Sequence, residues 1–390
     1  MIVFKSILNT ILYLRMKNTL TFFLALIAFN NWAQQQDKPL DMKMDFEEYN
    51  PPSSLVVDEH HLTKAKFPFI DIHNHQGDMD SGDLSKLIVD MDKLNMAVMN
   101  NLSGRGFGGK DYSGSDEHLL KSLDNIKQHY PNRFILFTTL TFSDIDEPNW
   151  TAKTVKQLEE NVKAGAKGLK IYKSLGLHFK DKNGNPIAID DPRIDPVWEK
   201  CGELGIPVLI HSADPKQFWE PIDEKNERWL ELKTHPNRRY TDKDVPWQKL
   251  IDEQHNIFRK HPKTKFIAAH LGWYGNDLKK LAQLLDAMPN VYTEIGAVIA
   301  EVGRQPRAAK AFFIKYQDRI LFGKDSWVPS EYETYFRVLE SEDEYFPYHK
   351  RYHAFWRMYG MGLPDDVLKK IYYKNAMSLV KGIDPSLFPN

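Results

Sequence analysis

A single (β/α)8 barrel (TIM barrel) is the fold class the sequence predicts, on three observations. From residue 66 onward, short apolar runs alternate with amphipathic stretches, the pattern of parallel strands joined by helical crossovers. Eight such pairs fill residues 66–385, which suits a closed barrel with loop insertions better than an open sheet. Ionisable residues stand at the ends of several apolar runs, where this fold gathers its chemistry.

The chain before residue 66 is of a different kind. Residues 1–33 read as a secretory signal peptide, with Met16 an alternative start to Met1: Lys17 precedes an apolar run from Leu20 to Phe29, and Ala33 stands before three glutamines. The run is too short to favour a membrane span, so no membrane association is expected after cleavage; an uncleaved anchor is the competing reading. Export to the periplasm or the medium follows as the expected localisation. Residues 34–65, with paired prolines and no periodicity, form an irregular lead-in.

Strands are expected at 67–73, 96–102, 133–140, 168–172, 207–212, 266–271, 290–296 and 319–325, each apolar as a strand buried on both faces should be. Leu84, Leu87, Ile88, Met91 and Leu94 recur at helical spacing after the first run. Further helices are expected at 115–129, 151–164, 192–204, 246–261, 276–287, 306–317 and 365–380. Two insertions interrupt the alternation. Residues 176–192 place Asn183-Gly184 between two short strand-like runs, a hairpin signal; the acidic loop does not have the spacing of an EF-hand calcium site. Residues 213–247 carry Trp219, Trp229 and Trp247 among many charges, as a substrate-contacting loop would.

The strongest chemical signal closes the first run, Ile70-Asp71-Ile72-His73-Asn74-His75. Alternate residues of a strand share a face, so His73 and His75 point the same way and can grip one divalent ion. An HxH pair alone is weak, because surface histidines are common; the adjacent His60 and His61 are read as surface. Position supplies the specificity. His211 closes the fifth run, His270 the sixth and Asp325 the eighth. A buried, hydrogen-bonded histidine accounts for any one of these, but not for five ionisable residues at four strand ends on one rim.

The ordered set His73-Asn74-His75, His211-Ser212-Ala213-Asp214, Ala269-His270-Leu271-Gly272 and Phe322-Gly323-Lys324-Asp325 resembles the metal-dependent amidohydrolase superfamily, and most of all its amidohydrolase-related (amidohydrolase 2) branch. The closing segment 363–380 is similar to that branch's last helix, so the resemblance covers residues 66–382. It implies His73, His75, His211 and Asp325 as metal ligands, with His270 beside the metal or on a second one. The branch includes decarboxylases and lactonases as well as hydrolases. Lys324 stands where the branch usually has serine, which bears on local contacts and not on the carboxylate.

Such a site keeps a position open for water, whose pKa falls from about 15.7 towards about 7 on the ion. Asp325 is placed to accept the proton and return it to the leaving group. His270 is placed to hold the substrate carbonyl, worth a factor of about 10²–10³ if comparable to other oxyanion donors. Zinc is the first expectation; mixed nitrogen and oxygen ligation also suits manganese or iron, as one ion or two. Lys170, on the fourth run, shares a face with Tyr172. Three readings stay open for it: a carboxylated bridge between two metals, a cation facing an acidic substrate group, or an ion pair with Asp71 or Glu294. Lys173 carries a weaker form of the same question. Arg105 and Lys110, in the glycine-rich loop 103–113, are candidate anion contacts, and Trp273 and Trp327 candidate pocket walls, each equally readable as packing.

Other classes are excluded on composition. With 52 basic and 53 acidic residues and a net charge of −1, the chain has no electrostatic footprint for nucleic acid or for an anionic membrane. Its one cysteine, Cys201, permits no intrachain disulfide and no cysteine-rich zinc site. No nucleophile-elbow motif accompanies the histidines. The expectation is a metal-dependent hydrolase of a small-molecule amide, ester or lactone; a decarboxylase of a small unsaturated or aromatic acid is the alternative. A binding protein without turnover is the third reading, and a homo-oligomer is an open expectation.

Overall fold

The computed structural model describes residues 12–21, 42–108, 111, 113–350, 353 and 355–389. The chain divides into two units, Met1–Ser54 and Leu55–Asn390. Of the first, the described residues form a helix at 12–21 and irregular chain from 42. Most of the expected signal peptide therefore lies outside the described residues, as does Lys110. No helix among the described residues is long and apolar enough to cross a membrane.

The second unit is the barrel. Eight parallel strands, β1 (Phe69–Asn74), β2 (Met96–Asn101), β3 (Phe134–Thr138), β4 (Gly168–Ile171), β5 (Val208–Ile210), β6 (Phe266–Ala268), β7 (Val291–Glu294) and β8 (Ile320–Leu321), pair in sequential order. Seven of the eight expected runs contain their strand, and β1 extends one residue past its run, to Asn74. The strands are shorter than the runs because the last residues of the other runs leave the ladder and turn towards the mouth. Helices follow in step: α1 (Ser85–Leu94), α2 (Asp116–His129), α3 (Trp150–Ala164), α4 (Asp195–Leu204), α5 (Trp247–Lys260), α6 (Leu278–Ala287) and α7 (Pro306–Lys315). Their apolar stripes face the sheet. Ser115 caps α2 by accepting the His118 backbone N–H at 3.1 Å. Gly205 ends α4 at φ +66°, a left-handed turn that glycine adopts without strain and that feeds β5.

The seam between β8 and β1 closes through backbone and through one carboxylate. Ile72 N–H donates to Phe322 O at 3.0 Å and Asp325 N–H to His73 O at 2.7 Å. Asp71, fully buried, accepts from the backbone N–H of His73 and Lys324, from Asn74 Nδ2 and from the Tyr332 hydroxyl. Burial raises its pKa to about 6, against the four hydrogen bonds that favour the ionised form. Tyr332 opens α8 (Tyr332–Glu340), an extra helix that the sequence reading left unassigned. Beyond it, β9 (Phe346–Pro347) and β10 (Arg357–Met358) form a short antiparallel ribbon, before α9 closes the chain over residues 365–379 with one wide π turn at Lys370–Lys374.

Three insertions rise above the mouth. The segment after β4 holds the expected hairpin, with a Lys180–Pro186 antiparallel bridge and Gly184 at φ +83°. The segment after β5 contains a short helix, Trp229–Thr234, and a Trp219–Tyr240 stack with centroids 3.9 Å apart. The third is the stretch from β8 through the β9–β10 ribbon.

Barrel interiors are filled by side chains, so small residues on a strand have neighbours in their place. At Gly168 an added Cβ would overlap the Phe137 ring, itself fully buried. Gly168→Ala is expected to lower stability by about 1–3 kcal/mol through overpacking. Denaturant unfolding measures this, and an unchanged midpoint would show that β3 and β4 tolerate the methyl group.

Candidate metal centre

The ends of β1, β5, β6 and β8 bring five expected residues to one place. His73 is the next-to-last residue of β1, and its Nδ1 meets Glu294 Oε1 at 2.9 Å. That contact turns Nε2 inward, where it lies 3.4 Å from Asp325 Oδ1. His75 repeats the arrangement: Nδ1 on Ser103 Oγ at 2.8 Å, Nε2 3.7 Å from the same Asp325 oxygen. His270 has Nδ1 on Gly296 O at 2.7 Å, leaving Nε2 to face His211 Nδ1 at 3.4 Å. In each pair of ring nitrogens, one is fixed by the protein and the other looks into the centre.

Two donors held about 2.1 Å from one ion at a tetrahedral angle lie roughly 3.4 Å apart. The separations of 3.4, 3.7 and 3.4 Å fit that spacing without any sequence-distant element having to move. The donor atoms of His73, His75 and Asp325 lie within 4.8 Å of one another. His211 is not part of that triangle and joins it through His270, whose ring is 4.9 Å from that of His73 and 4.4 Å from that of His211. His73, His270 and Glu294 also come within 4.8 Å, but Glu294 faces away from the centre. Its oxygens already accept from His73 Nδ1 and from the backbone N–H groups of His270 and Gly296. Glu294 orients donors instead of being one.

Electrostatics keep the donors ready. Burial pulls the His73 and His211 imidazoles well below their ordinary range, helped by Lys170 against His73 and by His270 against His211. Burial likewise brings His75 to about 4. Burial raises the Asp325 carboxyl, but the three facing histidines and Lys170 outweigh it and bring the pKa to about 2. At neutral pH these three imidazoles are neutral and the carboxylate charged, the forms that bind metal.

Lys170 on β4 points inward and is buried, its Nζ 3.4 Å from His73 Nε2. The expected ion pair with Asp71 or Glu294 is not formed: among the described residues no carboxylate lies within ion-pair distance of this amine. Burial lowers its pKa to about 8, opposed by the more distant charges of Asp325 and Glu294. Tyr172, on the same face, donates towards Leu102 O and meets Ser103 Oγ at 2.9 Å, supporting His75 with its ring. Burial raises its pKa to about 12.

A cavity of about 320 Å³ opens beside the donors, lined by His211, His270 and Asp325 and walled by the insertions. Trp273 lines it, with its ring 4.7 Å from that of His270. The structure does not bring Arg105 or Trp327 there. Arg105 turns its guanidinium to Thr139 O and Asp116, and Trp327 packs edge-on against Tyr332. Sequence reasoning missed Ser103, Gly296, Tyr335, Tyr348 and His353, and gave Glu294 the wrong partner. Of these only Tyr335 had a legible signal, since Tyr332, Tyr335, Phe336 and Leu339 recur at helical spacing.

The amidohydrolase family model matches residues 127–381, a stretch that begins after β2. Comparison with curated protein sequences gives no match. Solved structures with the same barrel include a dihydroxybenzoic acid decarboxylase from Polaromonas sp. JS666 with bound manganese and the inhibitor 2-nitroresorcinol. Its TM-score is 0.52 at 14% identity, over 80% of this chain and 96% of that one. A 2,6-dihydroxybenzoate decarboxylase from Rhizobium gives 0.50 at 15%, over 80% and 98%. A 4-oxalomesaconate hydratase from Rhodopseudomonas palustris gives 0.48 at 14%, over 82% and 97%. At these identities the likeness to the two decarboxylases is one of fold. The family match spans well over half of the chain, and with the barrel and its strand-end histidines in view, this protein belongs to the amidohydrolase family.

Proposed function

We propose that the protein is a metal-dependent hydrolase that cleaves an amide, ester or lactone bond of a small molecule. The observation that carries this reading is the convergence of His73, His75 and Asp325 donor atoms within 4.8 Å at the mouth of the barrel. The adjoining cavity of about 320 Å³ is of a size for a small ligand. His73, His75 and Asp325 would hold a divalent ion, with His211 and His270 completing the set; such an ion supplies Lewis acidity and an acidified water.

The protein's own groups do the rest. Asp325, ionised and facing the cavity, takes the proton from the attacking water and passes it to the leaving group. His270 is held by Gly296 O through Nδ1, so its Nε2 stays directed at the centre, where it can steady a carbonyl oxygen. Trp273 covers the imidazoles of His211 and His270 and restricts bulk water on that side. Decarboxylation of a small acid is the second reading. Lys170 favours it, since an ammonium with no carboxylate partner among the described residues gives a substrate carboxylate a counter-charge beside the donors. Carbon dioxide release from an acid panel, against product formation from lactones, esters and amides, separates the two; chelator should abolish either.

Asp325→Asn is expected to reduce turnover about 10²–10⁴-fold, the usual worth of a general acid–base group, while most of the metal stays bound. His73→Ala should lose both metal and activity. Wild-type turnover in the asparagine variant would remove Asp325 from proton transfer.

Glu294→Gln should weaken metal binding about 10–100-fold, because the His73 ring loses the acceptor that fixes it. Metal titration of the variant checks this, and an unchanged affinity would reduce Glu294 to a packing role.

Metal uptake by the metal-free protein should fall steeply in acid. His75, with its pKa lowered to about 4, competes for protons only as pH falls through that value, and affinity should then drop. A His75 ring that takes up its proton near pH 6, read by NMR, would mean that this imidazole is solvated.

A further inference from the structure

Asp325 holds a backbone conformation that most residues avoid. Its φ is +81°, in the left-handed region that side chains other than glycine's rarely adopt. A residue stays there only where its surroundings over-determine it. The chain entering Asp325 is held by backbone: Lys324 N–H donates to Asp71 Oδ1 at 3.1 Å, and Asp325 N–H to His73 O at 2.7 Å. Beyond it β8 has ended and Ser326 is exposed, so burial does not hold the exit.

The Lys324 side chain reaches that exit. Its Nζ donates to Ser326 O and Ser326 Oγ at 3.1 Å each, and to Glu331 Oε2 at 2.6 Å. An ammonium has three N–H groups, and all three are taken up within this loop. The side chain is 1% exposed, and Nζ lies 5.7 and 5.8 Å from the centroids of the Tyr332 and Tyr335 rings. A charge buried this far is tolerated only with acceptors around it, and here they come from the chain on the far side of Asp325. The entry to α8 grips both ends of the lysine. Glu331 takes the ammonium, while the Tyr332 hydroxyl donates to Asp71, the acceptor of the Lys324 backbone N–H. Lys324 is also the residue at which the Phe322–Asp325 segment departs from the branch it resembles, where serine is usual.

We propose that Lys324 is a positioning residue for Asp325: its ammonium ties Ser326 to Glu331, and so keeps the aspartate backbone left-handed and its carboxylate on His73 and His75. Without the tie, Asp325 relaxes towards negative φ, and Oδ1 leaves its positions 3.4 and 3.7 Å from the two imidazoles. This role rests on Asp325 being a metal donor, as in the function proposed above; it does not rest on which bond is cleaved.

Cobalt(II) tests the tie without a substrate, because its visible absorption bands report the number and geometry of its ligands. Metal-stripped full-length protein is titrated with cobalt as wild type, Lys324→Met, Glu331→Gln and Asp325→Asn, with denaturant unfolding of each form alongside. Methionine keeps the apolar stem and removes the ammonium. Lys324→Met should weaken cobalt binding about 10–100-fold, the usual effect of losing a group that holds a ligand in place, and should shift the bands towards those of Asp325→Asn. Glu331→Gln should give a smaller loss in the same direction, and it decides the matter if Lys324→Met fails to fold. Lowered stability with wild-type bands and affinity would make Lys324 a residue of the fold alone and overturn its positioning role. Wild-type bands in Asp325→Asn, or no cobalt uptake by the wild type, would overturn that role together with the donor reading. Matching band shifts in Lys324→Met and Asp325→Asn support it even where no amide, ester or lactone is hydrolysed.

Discussion

The Glu294 carboxylate, at the end of β7, is the contact on which the candidate metal centre depends. It is fully buried and accepts from an imidazole of β1 and from the backbone of the β6 and β7 exits at once. One group thereby fixes the ring plane of His73, the entry of the His270 loop and the turn at Gly296, whose carbonyl in turn fixes the His270 ring. Burying a charge this deeply is costly unless every oxygen is hydrogen-bonded, and here they are. The candidate donors are therefore set in place by the barrel itself.

The fold was legible because a parallel barrel writes its strands as doubly buried apolar runs and its helices as one-sided stripes, two periods that do not mimic each other. Phe134–Thr138 and Trp150–Ala164 are instances of each. The donors were legible for the same reason: an imidazole or carboxylate at the end of an apolar run is out of place in a core. Glu294 fits that description as well, yet its role was hidden, since only the three-dimensional approach of β7 to β1 reveals which nitrogen it holds. Arg105 and Trp327 fared differently because a loop position fixes no direction; both side chains found better partners below the rim.

The wall of the cavity was the least readable part. Its charges come from segments that are not periodic, after β4, β5 and β8, and Glu231 of the β5 insertion joins His353 of the last one. Arg228 ties this pair to Glu301 near the β7 exit, and the Trp356 ring lies 3.8 Å from the Arg304 guanidinium carbon beside it. These residues look, in sequence, like any solvated loop.

The loop after β6 is built by backbone. His270, Leu271, Gly272 and Trp273 all sit at φ between 54° and 59°, a left-handed stretch that ordinary residues avoid singly, let alone in succession. That turn places the His270 backbone at the mouth, and the Gly296 carbonyl holds its ring inward. Location and chemistry are thus separable at this corner: the main chain decides where a side chain will stand, and the identity of the residue decides only what it does there. A scaffold so arranged can exchange one reactive group for another without relearning its shape, which is one physical route by which a single barrel comes to serve unrelated reactions.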